Sequence, residues 1–322
     1  MPLGMLVDGK WTTEWKERDQ QGKFNRMPTQ FRNWIKKDGS TAFKPEANRY
    51  HLYVSLACPW AHRTLIMRSL KGLQEVITIS IVDPEMGENG WHFSEEAGCI
   101  PDPINHCHYL RELYVKADSE YTGRVTVPVL WDKQNQQIVN NESREIIRML
   151  DLEFEDYSKS GLNLCPPELQ ESIDETMNVI YRPINNGVYR SGFASTQTAY
   201  EEAVTELFEH LEHWEKVLSS QRYLCGNQLT EADICMFTTL LRFDAVYHGH
   251  FKCNLHRIVD YPNLWNYIKD FYQTPGVKET CNLDHIKRHY YKSHTQINPT
   301  RVVPKGPIIN FDEPHDRDKL SQ

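Results

Sequence analysis

The first half of the chain contains a strand–helix–strand pattern, and this pattern most narrows the possible folds. "YHLYVSL", beginning at residue 50, alternates and predicts a β-strand. In the next segment Ala61 and Leu65 share an apolar helical face, and Gly72 is positioned to end the helix. "VITISIV", residues 76–82, is a β-branched run typical of a buried strand. This order predicts a βαβ unit with parallel strands.

The remaining patterns separate an α/β region from an all-helical one. "RVTVPVLWD" (124–132) and "QIVNNES" (137–143) predict two more strands, and "SREIIRML" predicts a helix after them. Residues 83–118 are irregular, and their length indicates a functional insertion rather than a plain connector. Beyond about residue 160 strand patterns vanish, and four long segments predict helices: "LQESIDETMNVIYRPINNGVY", "AYEEAVTELFEHLEHWEKVL", "TEADICMFTTLLRFDAVY" and "LWNYIKDFYQTPGV". Thr230 and Asp233 resemble a capping box before "ICMFTTLL".

Composition narrows the functional classes. The 322 residues are 39% hydrophobic and 25% charged, and no apolar run approaches the ~18 residues of a membrane span. A net charge of −8 disfavours a nucleic-acid-binding surface. The start of the sequence lacks the regions of a signal peptide, and the eight cysteines include no C-x-x-C pair. We therefore expect reduced thiols, a cytoplasmic location, and no membrane or nucleic-acid partner.

One cysteine stands apart from the other seven. Cys58 follows the first predicted strand at a helix start, and Pro59 occupies the favoured first helical position. Free N–H groups and the positive end of the helix dipole favour a thiolate there, which can lower a cysteine pKa from ~8.5 by one or more units. The alternative is a buried, inert cysteine, which is our expectation for the other seven. Ala61 stands where a resolving cysteine would lie, so an external thiol must resolve a mixed disulfide, and glutathione fits.

Three further features suit a glutathione site. In "TVPVL", Pro128 at a strand start would direct the backbone of Val127 towards a bound cysteinyl group if its peptide bond is cis, and the alternative is an ordinary edge proline. In "NNES", Ser143 and free N–H groups would bind a carboxylate and Glu142 an ammonium, the alternative being plain N-capping by Ser143. Trp91 and Arg124 are candidates for covering the peptide and pairing its glycine carboxylate.

Several motifs together resemble the xi-class glutathione transferases, also called S-glutathionyl-hydroquinone reductases. They are "YHLYVSLACPWAHRTLIMR", "ENGWHF", "GRVTVPVLWD", "NNESREIIRM", "NNGVYRSGFA" and "GNQLTEADI". The likeness extends over nearly the whole chain, including the "HYYKSHTQINPT" segment. Of these motifs, Cys-Pro-Trp-Ala with its long flanks is highly specific, whereas "TEAD" marks only the wider superfamily.

The resemblance implies an α/β thioredoxin-like domain followed by an all-α domain, the glutathione transferase fold, in a homodimer formed largely through the helical domains. The implied division is an extension at 1–49, a glutathione-binding domain at 50–155, a helical domain at 165–295 and a tail at 296–322. By this resemblance the nucleophile is Cys58, and the tyrosines of the quinol pocket are Tyr189 and Tyr290. The glutathione-binding positions are Trp91, Arg124, Val127, Glu142 and Ser143.

The expected function is removal of glutathione from S-glutathionyl-hydroquinones through a Cys58–glutathione mixed disulfide. Glutathione is then a co-substrate, and no permanently bound cofactor is expected. Two alternatives stay open: an omega-like thiol transferase or dehydroascorbate reductase, and a non-enzymatic carrier of glutathione or aromatic ligands. The histidines at 62, 285, 289 and 294 lack compact ligand spacing, so we expect no metal site.

Overall fold

The computed structural model describes residues 4–14 and 19–320. This part of the chain forms two units, each built from segments that are separate in sequence. Unit 1 comprises residues 4–14, 27–162 and 280–303, and unit 2 comprises residues 19–26, 163–279 and 304–320.

The helices and strands follow the chain in this order. The first part of unit 1 contains β1 (Met5–Val7), β2 (Lys10–Thr12), β3 (Tyr50–Val54), α1 (Pro59–Leu70), β4 (Thr78–Ile81), α2 (Leu110–Ala117), β5 (Gly123–Arg124), β6 (Val129–Asp132), β7 (Gln137–Asn140) and α3 (Ser143–Leu152). Unit 2 contains α4 (Gln170–Ile180), α5 (Gly187–Phe193), α6 (Gln197–Val217), α7 (Glu231–Arg242), α8 (His248–His250) and α9 (Pro262–Gln273). The chain then returns to unit 1 with α10 (Leu283–Ser293).

A four-stranded mixed sheet forms the centre of unit 1. Its strand order is β4-β3-β6-β7, with β3 parallel to β4 and antiparallel to β6. All five residues of β3 are buried, as expected for a central strand. With α1 following β3 and α3 following β7, this is a thioredoxin-like arrangement, and the predicted βαβ unit and its parallel strands are confirmed.

Three segments of unit 1 differ from the sequence-based expectation. The predicted extension contains a hairpin, β1–β2, which pairs with β5 in a second sheet. The predicted irregular insertion contains α2, whose start is fixed by a capping box between Tyr109 and Glu112. The predicted helical domain ends at residue 295, but residues 280–303 group with unit 1, because α10 packs against residues of the insertion.

Unit 2 is helical, as predicted, but two predicted helices contain π-helical turns, the second of them at Phe243–Tyr247 after α7. Residues Tyr181–Asn185 form a π-helical turn between α4 and α5. Pro183 lies in this turn and has no N–H to donate to the preceding turn, so the regular α-helical ladder cannot continue through it. The capping box of Thr230 and Asp233 at the start of α7 is confirmed, since each side chain bonds the other residue's backbone N–H.

The last segment of unit 2 is mostly without regular structure, consistent with the predicted tail. Phe311 packs against Trp265 and Tyr272, and the buried Arg317 guanidinium donates to the carbonyl oxygens of three residues, Leu218, Gln221 and Arg222. These contacts fix the segment on the helices of unit 2. Within residues 4–14 and 19–320, no helix has the length and apolar character needed to cross a membrane.

Candidate active site

Cys58 lies where the sequence predicts, at the N-terminus of α1. It is the N-cap residue, with extended backbone angles (φ −77°, ψ 123°), and Pro59 is the first helical residue. The thiol does not cap the helix, but its Sγ lies 3.6 Å from the carbonyl oxygen of Val127. The side chain is half-buried. A side chain at this position lies at the positive end of the helix dipole, beside the N–H groups of the first turn.

The loop before β6 holds the carbonyl group that meets Cys58. The Val127–Pro128 peptide bond is cis, as expected from the sequence. Thr126, which precedes Val127, is fixed by Tyr114 of α2. The Tyr114 hydroxyl donates to the Thr126 carbonyl oxygen at 2.8 Å. Asn141 in turn donates to the Tyr114 hydroxyl at 3.2 Å. Val127 itself is buried, so its backbone is set by packing as well as by this network.

Several other cysteines lie in surroundings that disfavour the thiolate. Burial raises the pKa of the Cys99 and Cys225 thiols, and it raises the pKa of Cys107 and of Cys253 to about 12 each. A thiolate is the nucleophilic form of cysteine. These four thiols are therefore poor candidates for exchange chemistry.

The N-terminus of α3 brings together an acid, a hydroxyl and a buried cation. Glu142 is the N-cap, and its carboxylate accepts from the Arg144 N–H at 3.3 Å and from the Thr29 hydroxyl at 3.3 Å. The residue that caps α3 is thus Glu142, so the alternative of N-capping by Ser143 is wrong. The buried Ser143 hydroxyl instead accepts from the Arg63 guanidinium at 3.3 Å.

Arg63 was missed in the sequence analysis, although it lies only five residues after Cys58 on α1. Its guanidinium is buried and stacks over the Trp60 ring at 4.5 Å. A buried cation beside a hydroxyl at a helix N-terminus adds positive potential for a carboxylate ligand. The available signal was a basic residue one turn before the apolar residues Ile66 and Met67 of the same helix.

Arg124, at the end of β5, is the other predicted carboxylate-binding residue. Burial lowers the pKa of its guanidinium to about 10, because removal from water disfavours the charged form. The group remains protonated near neutral pH. A ligand carboxylate would restore part of the lost solvation through a charge-assisted hydrogen bond.

Trp91 and Tyr290 are linked by one residue of α10. Trp91 is 7% exposed, and its indole stacks on the His289 imidazole with centroids 4.8 Å apart and planes 17° apart. The same imidazole meets the ring of Tyr290 edge-on at 5.1 Å. Tyr290 is 1% exposed. His289, like Arg63, was not predicted as part of the site.

Tyr189 belongs to unit 2 and lies there in an aromatic cluster. Its ring is 5.5 Å from that of Phe251 and 6.2 Å from that of Phe193, and the Arg26 guanidinium lies 5.3 Å above it. A Cβ at Gly192 would lie 2.2 Å from the Phe251 ring, so this close approach requires glycine. The structure therefore brings together Cys58 with Val127, Glu142 with Ser143, and Trp91 with Tyr290 through His289, whereas Tyr189 lies in the other unit.

No cluster of histidine, cysteine, aspartate or glutamate suited to a metal ion occurs within residues 4–14 and 19–320. The chemistry available from the described residues is that of a half-buried thiol at a helix N-terminus, beside a loop with a cis proline. These features define a thioredoxin-like fold with a cysteine placed for thiol exchange.

Comparison with known proteins agrees with this class. The family described as the glutathione S-transferase N-terminal domain matches residues 57–153, and the glutathione S-transferase C-terminal domain matches residues 197–270. The chain is 52% identical to the glutathionyl-hydroquinone reductase YqjG of Escherichia coli, over 98% of this chain and 99% of that one. It is 50% identical to the glutathionyl-hydroquinone reductase PcpF of Sphingobium chlorophenolicum, over 95% of this chain and 96% of that one.

Solved structures give the same result. The xi-class glutathione transferase from Natrialba magadii superposes with a TM-score of 0.94 at 53% identity, covering 99% of this chain and 98% of that one. The glutathione-bound structure of YqjG superposes with a TM-score of 0.90 over 98% and 99% of the two chains. The chain therefore belongs to the glutathione S-transferase family, in its xi class, which confirms the resemblance found in the sequence.

Proposed function

We propose that the protein is a glutathionyl-hydroquinone reductase, which removes glutathione from S-glutathionyl-hydroquinones. The observation that carries this proposal is the thiol of Cys58 at the N-terminus of α1, 3.6 Å from the Val127 carbonyl oxygen, with Ala61 where a resolving cysteine would lie. Two relatives that share about half of their residues with this chain carry that name. The bound glutathione in the YqjG structure supports glutathione as the ligand.

In the proposed complex each charged group of glutathione meets a complementary residue. The γ-glutamyl carboxylate binds the Ser143 hydroxyl and the first N–H groups of α3, and its ammonium binds Glu142. The cysteinyl backbone bonds the backbone of Val127 beside Cys58. Arg124 pairs with the glycine carboxylate and Trp91 covers the peptide. The buried guanidinium of Arg63, bonded to Ser143, supports the placement of the carboxylate.

The first chemical step is thiol attack on the thioether sulfur. The Cys58 thiolate forms a disulfide with the glutathione sulfur, and the bond from that sulfur to the aryl carbon breaks. The bonding electron pair goes to the carbon, which takes up a proton, so the aryl carbon is reduced while Cys58 and glutathione are oxidised. A tyrosine that hydrogen-bonds a quinol oxygen favours the ketonised form that receives the proton, and Tyr290 of unit 1 is proposed for this role.

The second step regenerates the thiol. A second glutathione, as thiolate, attacks the mixed disulfide at the glutathione sulfur, releases oxidised glutathione and leaves the Cys58 thiolate. The sum is one glutathionyl-hydroquinone and one glutathione converted to one hydroquinone and one oxidised glutathione. Because the first product leaves before the second glutathione reacts, the kinetics are ping-pong.

Turnover of a panel of glutathionylated quinols tests the function directly. We expect hydroquinone and oxidised glutathione in a one-to-one ratio, because each turnover forms one of each.

A labelling experiment tests the role of Cys58. After treatment with oxidised glutathione, mass spectrometry of the wild type should show one added glutathione on Cys58, absent in Cys58→Ser. Dehydroascorbate is assayed in parallel. Preferential labelling of another cysteine, or turnover of dehydroascorbate alone, would contradict the proposal and favour the omega-like alternative.

Removing the carboxylate of Glu142 should weaken glutathione binding. Glu142→Ala loses both the ammonium partner and the helix cap, whereas Glu142→Gln keeps an oxygen that can accept from the Arg144 N–H. A charged hydrogen bond is worth ~1.5–3 kcal/mol, so we expect dissociation constants about ten- to a hundredfold higher in both variants. Ser143→Ala should raise the constant by about tenfold or less. The constants are measured by calorimetric titration with glutathione.

Glu145→Gln is the matched control for these variants. Glu145 lies on the same helix, pairs with Arg32 and accepts from the Asn140 amide at 2.7 Å. Glutamine keeps an oxygen for the Asn140 bond, so the substitution costs the ion pair with the exposed Arg32 but no ligand contact. We expect its glutathione affinity to stay within about twofold of the wild type. Equal affinities for Glu142→Gln, Ser143→Ala and the wild type would place the ligand elsewhere.

We also propose that the protein is a homodimer formed through its helical unit. Val179 and Tyr181, at the end of α4 and in the π-helical turn, are large apolar residues that are 48% and 37% exposed. Such residues on one helix end favour burial against a second copy. Analytical ultracentrifugation distinguishes dimer from monomer.

A cytoplasmic location is proposed on the basis of the thiols. All eight cysteines are free thiols in the structure, and thiol exchange with glutathione requires a reducing compartment. Cell fractionation with an antibody to the protein tests the location.

A further inference from the structure

The imidazole of His289 contacts both Trp91 and Tyr290, which we assign to different substrates. Trp91 belongs to the proposed glutathione site, and Tyr290 to the proposed quinol site. We propose that His289 is a positioning residue that sets the orientation of both rings, so that glutathione binding and quinol turnover depend on one side chain. This inference rests on the proposed function.

The contact with Trp91 is a parallel stack. The two ring planes differ by 17° and the centroids are 4.8 Å apart. A stack of this kind fixes the plane of the indole, which is the surface that would lie against the peptide of glutathione. Trp91 is contributed by the insertion, whose backbone from residue 87 to 90 makes a tight bridge rather than a regular strand. The orientation of the indole therefore depends on its packing partner.

The imidazole is itself held by a hydrogen bond. Its Nδ1 lies 2.8 Å from the carbonyl oxygen of Pro84. Because a carbonyl oxygen only accepts, Nδ1 carries the proton in this contact. The ring then meets Tyr290 edge-on at 5.1 Å with planes 77° apart, and Tyr290 meets His294 in the same way at 5.4 Å. The imidazoles of His289 and His294 are themselves 5.6 Å apart, so the three rings form one cluster that holds Tyr290.

The two residues that follow Pro84 also bind to α10. The Glu85 carboxylate pairs with Arg288 at 3.1 Å and with Lys292, and the Met86 N–H donates to the Ser293 hydroxyl at 2.9 Å. These ionic hydrogen bonds hold the pKa of the Glu85 carboxyl below its usual range, although its partial burial acts in the opposite direction. Three consecutive residues of the insertion therefore bind the helix that carries His289.

His285 is a control that distinguishes positioning of the Trp91 ring from attachment of α10 to the insertion. It lies one turn earlier on α10, is buried, and its Nε2 donates to the carbonyl oxygen of Ala97 at 2.8 Å. It thus repeats the link between ring and insertion carbonyl made by His289. The ring that stacks on Trp91, however, is that of His289.

The experiment compares His289→Leu, His289→Phe and His285→Leu. Aromatic stacking is worth ~0.5–1.5 kcal/mol, so His289→Leu should raise the glutathione dissociation constant about fivefold, and kcat for hydroquinone release should fall by a similar factor. His289→Phe keeps a flat ring and should restore glutathione affinity to within about twofold of the wild type. His285→Leu should lower the thermal unfolding midpoint but leave both constants within about twofold.

The outcomes are separable. Equal changes in His289→Leu and His285→Leu, or equal changes in His289→Leu and His289→Phe, would overturn the assignment in favour of a structural role. If His289→Leu does not fold, His289→Asn takes its place, because the amide keeps a donor for the Pro84 carbonyl oxygen but removes the ring. A rise of about fivefold in its glutathione dissociation constant supports the proposal, and an unchanged constant contradicts it. Glutathione binding is measured by calorimetry without turnover, so an absence of hydroquinone release by the wild type would refute the proposed function and leave this test intact.

Discussion

Replacing Cys58 with serine is expected to abolish hydroquinone release, with a loss of more than about a thousandfold in kcat. The serine hydroxyl cannot form a disulfide with glutathione, so the covalent intermediate is lost. The rest of the proposed glutathione site is untouched. We therefore expect Cys58→Ser to bind glutathione and still fail to turn over glutathionyl-hydroquinones.

The same variant should gain weak conjugating activity. A serine hydroxyl at a helix N-terminus can hydrogen-bond the glutathione thiolate and leave it free to attack an electrophile. In the wild type Cys58 would instead capture oxidised or thioether-linked glutathione as a mixed disulfide, with release of one glutathione thiolate or of the aryl group. The measurement pairs hydroquinone release with glutathione addition to a chlorodinitrobenzene-type acceptor in both proteins.

Cys99→Ser is the control for this pair, because the Cys99 thiol is half-buried and its pKa is raised by burial. It should keep wild-type reductase activity. A wild type that conjugates efficiently and releases no hydroquinone would overturn the proposed function.

Replacing Asp233 with alanine should destabilise the helical unit by about 3–5 kcal/mol. The buried carboxylate accepts from the N–H and hydroxyl of Thr230, from the N–H of Leu224 and from the hydroxyl of Tyr267. Alanine leaves the Thr230 and Leu224 donors buried without this acceptor, while the Tyr267 hydroxyl keeps only the longer bond to the backbone carbonyl oxygen of residue 233 at 3.4 Å. The free energy of unfolding falls by the desolvation cost of these groups. Urea and thermal unfolding of both proteins measure the difference.

The pH dependence of that difference follows from the pKa of Asp233. Burial raises this pKa to about 6, and the hydrogen bonds it accepts only partly offset the effect. The folded state therefore binds a proton more readily than the unfolded state. The stability linked to this proton is present below about pH 4 and is lost as the pH rises through about 6. This decrease of the unfolding free energy between about pH 4 and pH 6 should be absent from Asp233→Ala.

Asp260→Ala is the matched control, because Asp260 also accepts from the backbone N–H three residues earlier, that of Arg257. The pair is exposed, so its loss should cost less than about 1 kcal/mol. A loss for Asp233→Ala as small as that for Asp260→Ala would contradict the argument from burial.

Local patterns in the sequence were sufficient to predict the secondary structure at the centre of unit 1. The alternation around Tyr50 and the apolar face of α1 predict the βαβ unit, and the placement of Cys58 follows from Pro59 at the first helical position. These features depend on neighbours a few residues apart. The short strands β1 and β2 were missed because three residues are too few for alternation to be recognised, and their stability comes from pairing with distant β5.

The site itself was predictable only where its chemistry is local. The positions of Cys58, Glu142 and Ser143 at helix N-termini were predicted correctly, because a helix N-terminus has its own sequence signature. His289 and Arg63 were missed because their roles depend on contacts with Trp91 and Ser143, which lie far away in the sequence. Single-sequence periodicity carries no information about such pairs. The assignment of residues 280–303 to unit 1 was missed for the same reason.

The discontinuity of unit 1 has a consequence for the order of folding during synthesis. The strands around the thiol, together with Trp91, leave the ribosome first, and residues 163–279 follow before α10 is made. Domains generally fold as they emerge from the N-terminal side. The sheet of unit 1 can therefore form early, but the indole of Trp91 gains its stacking partner only after the chain of the helical unit has been synthesised. A nascent chain that pauses before residue 280 therefore lacks the residue that stacks on Trp91, and unit 1 completes its folding only after residues 280–303 have been made.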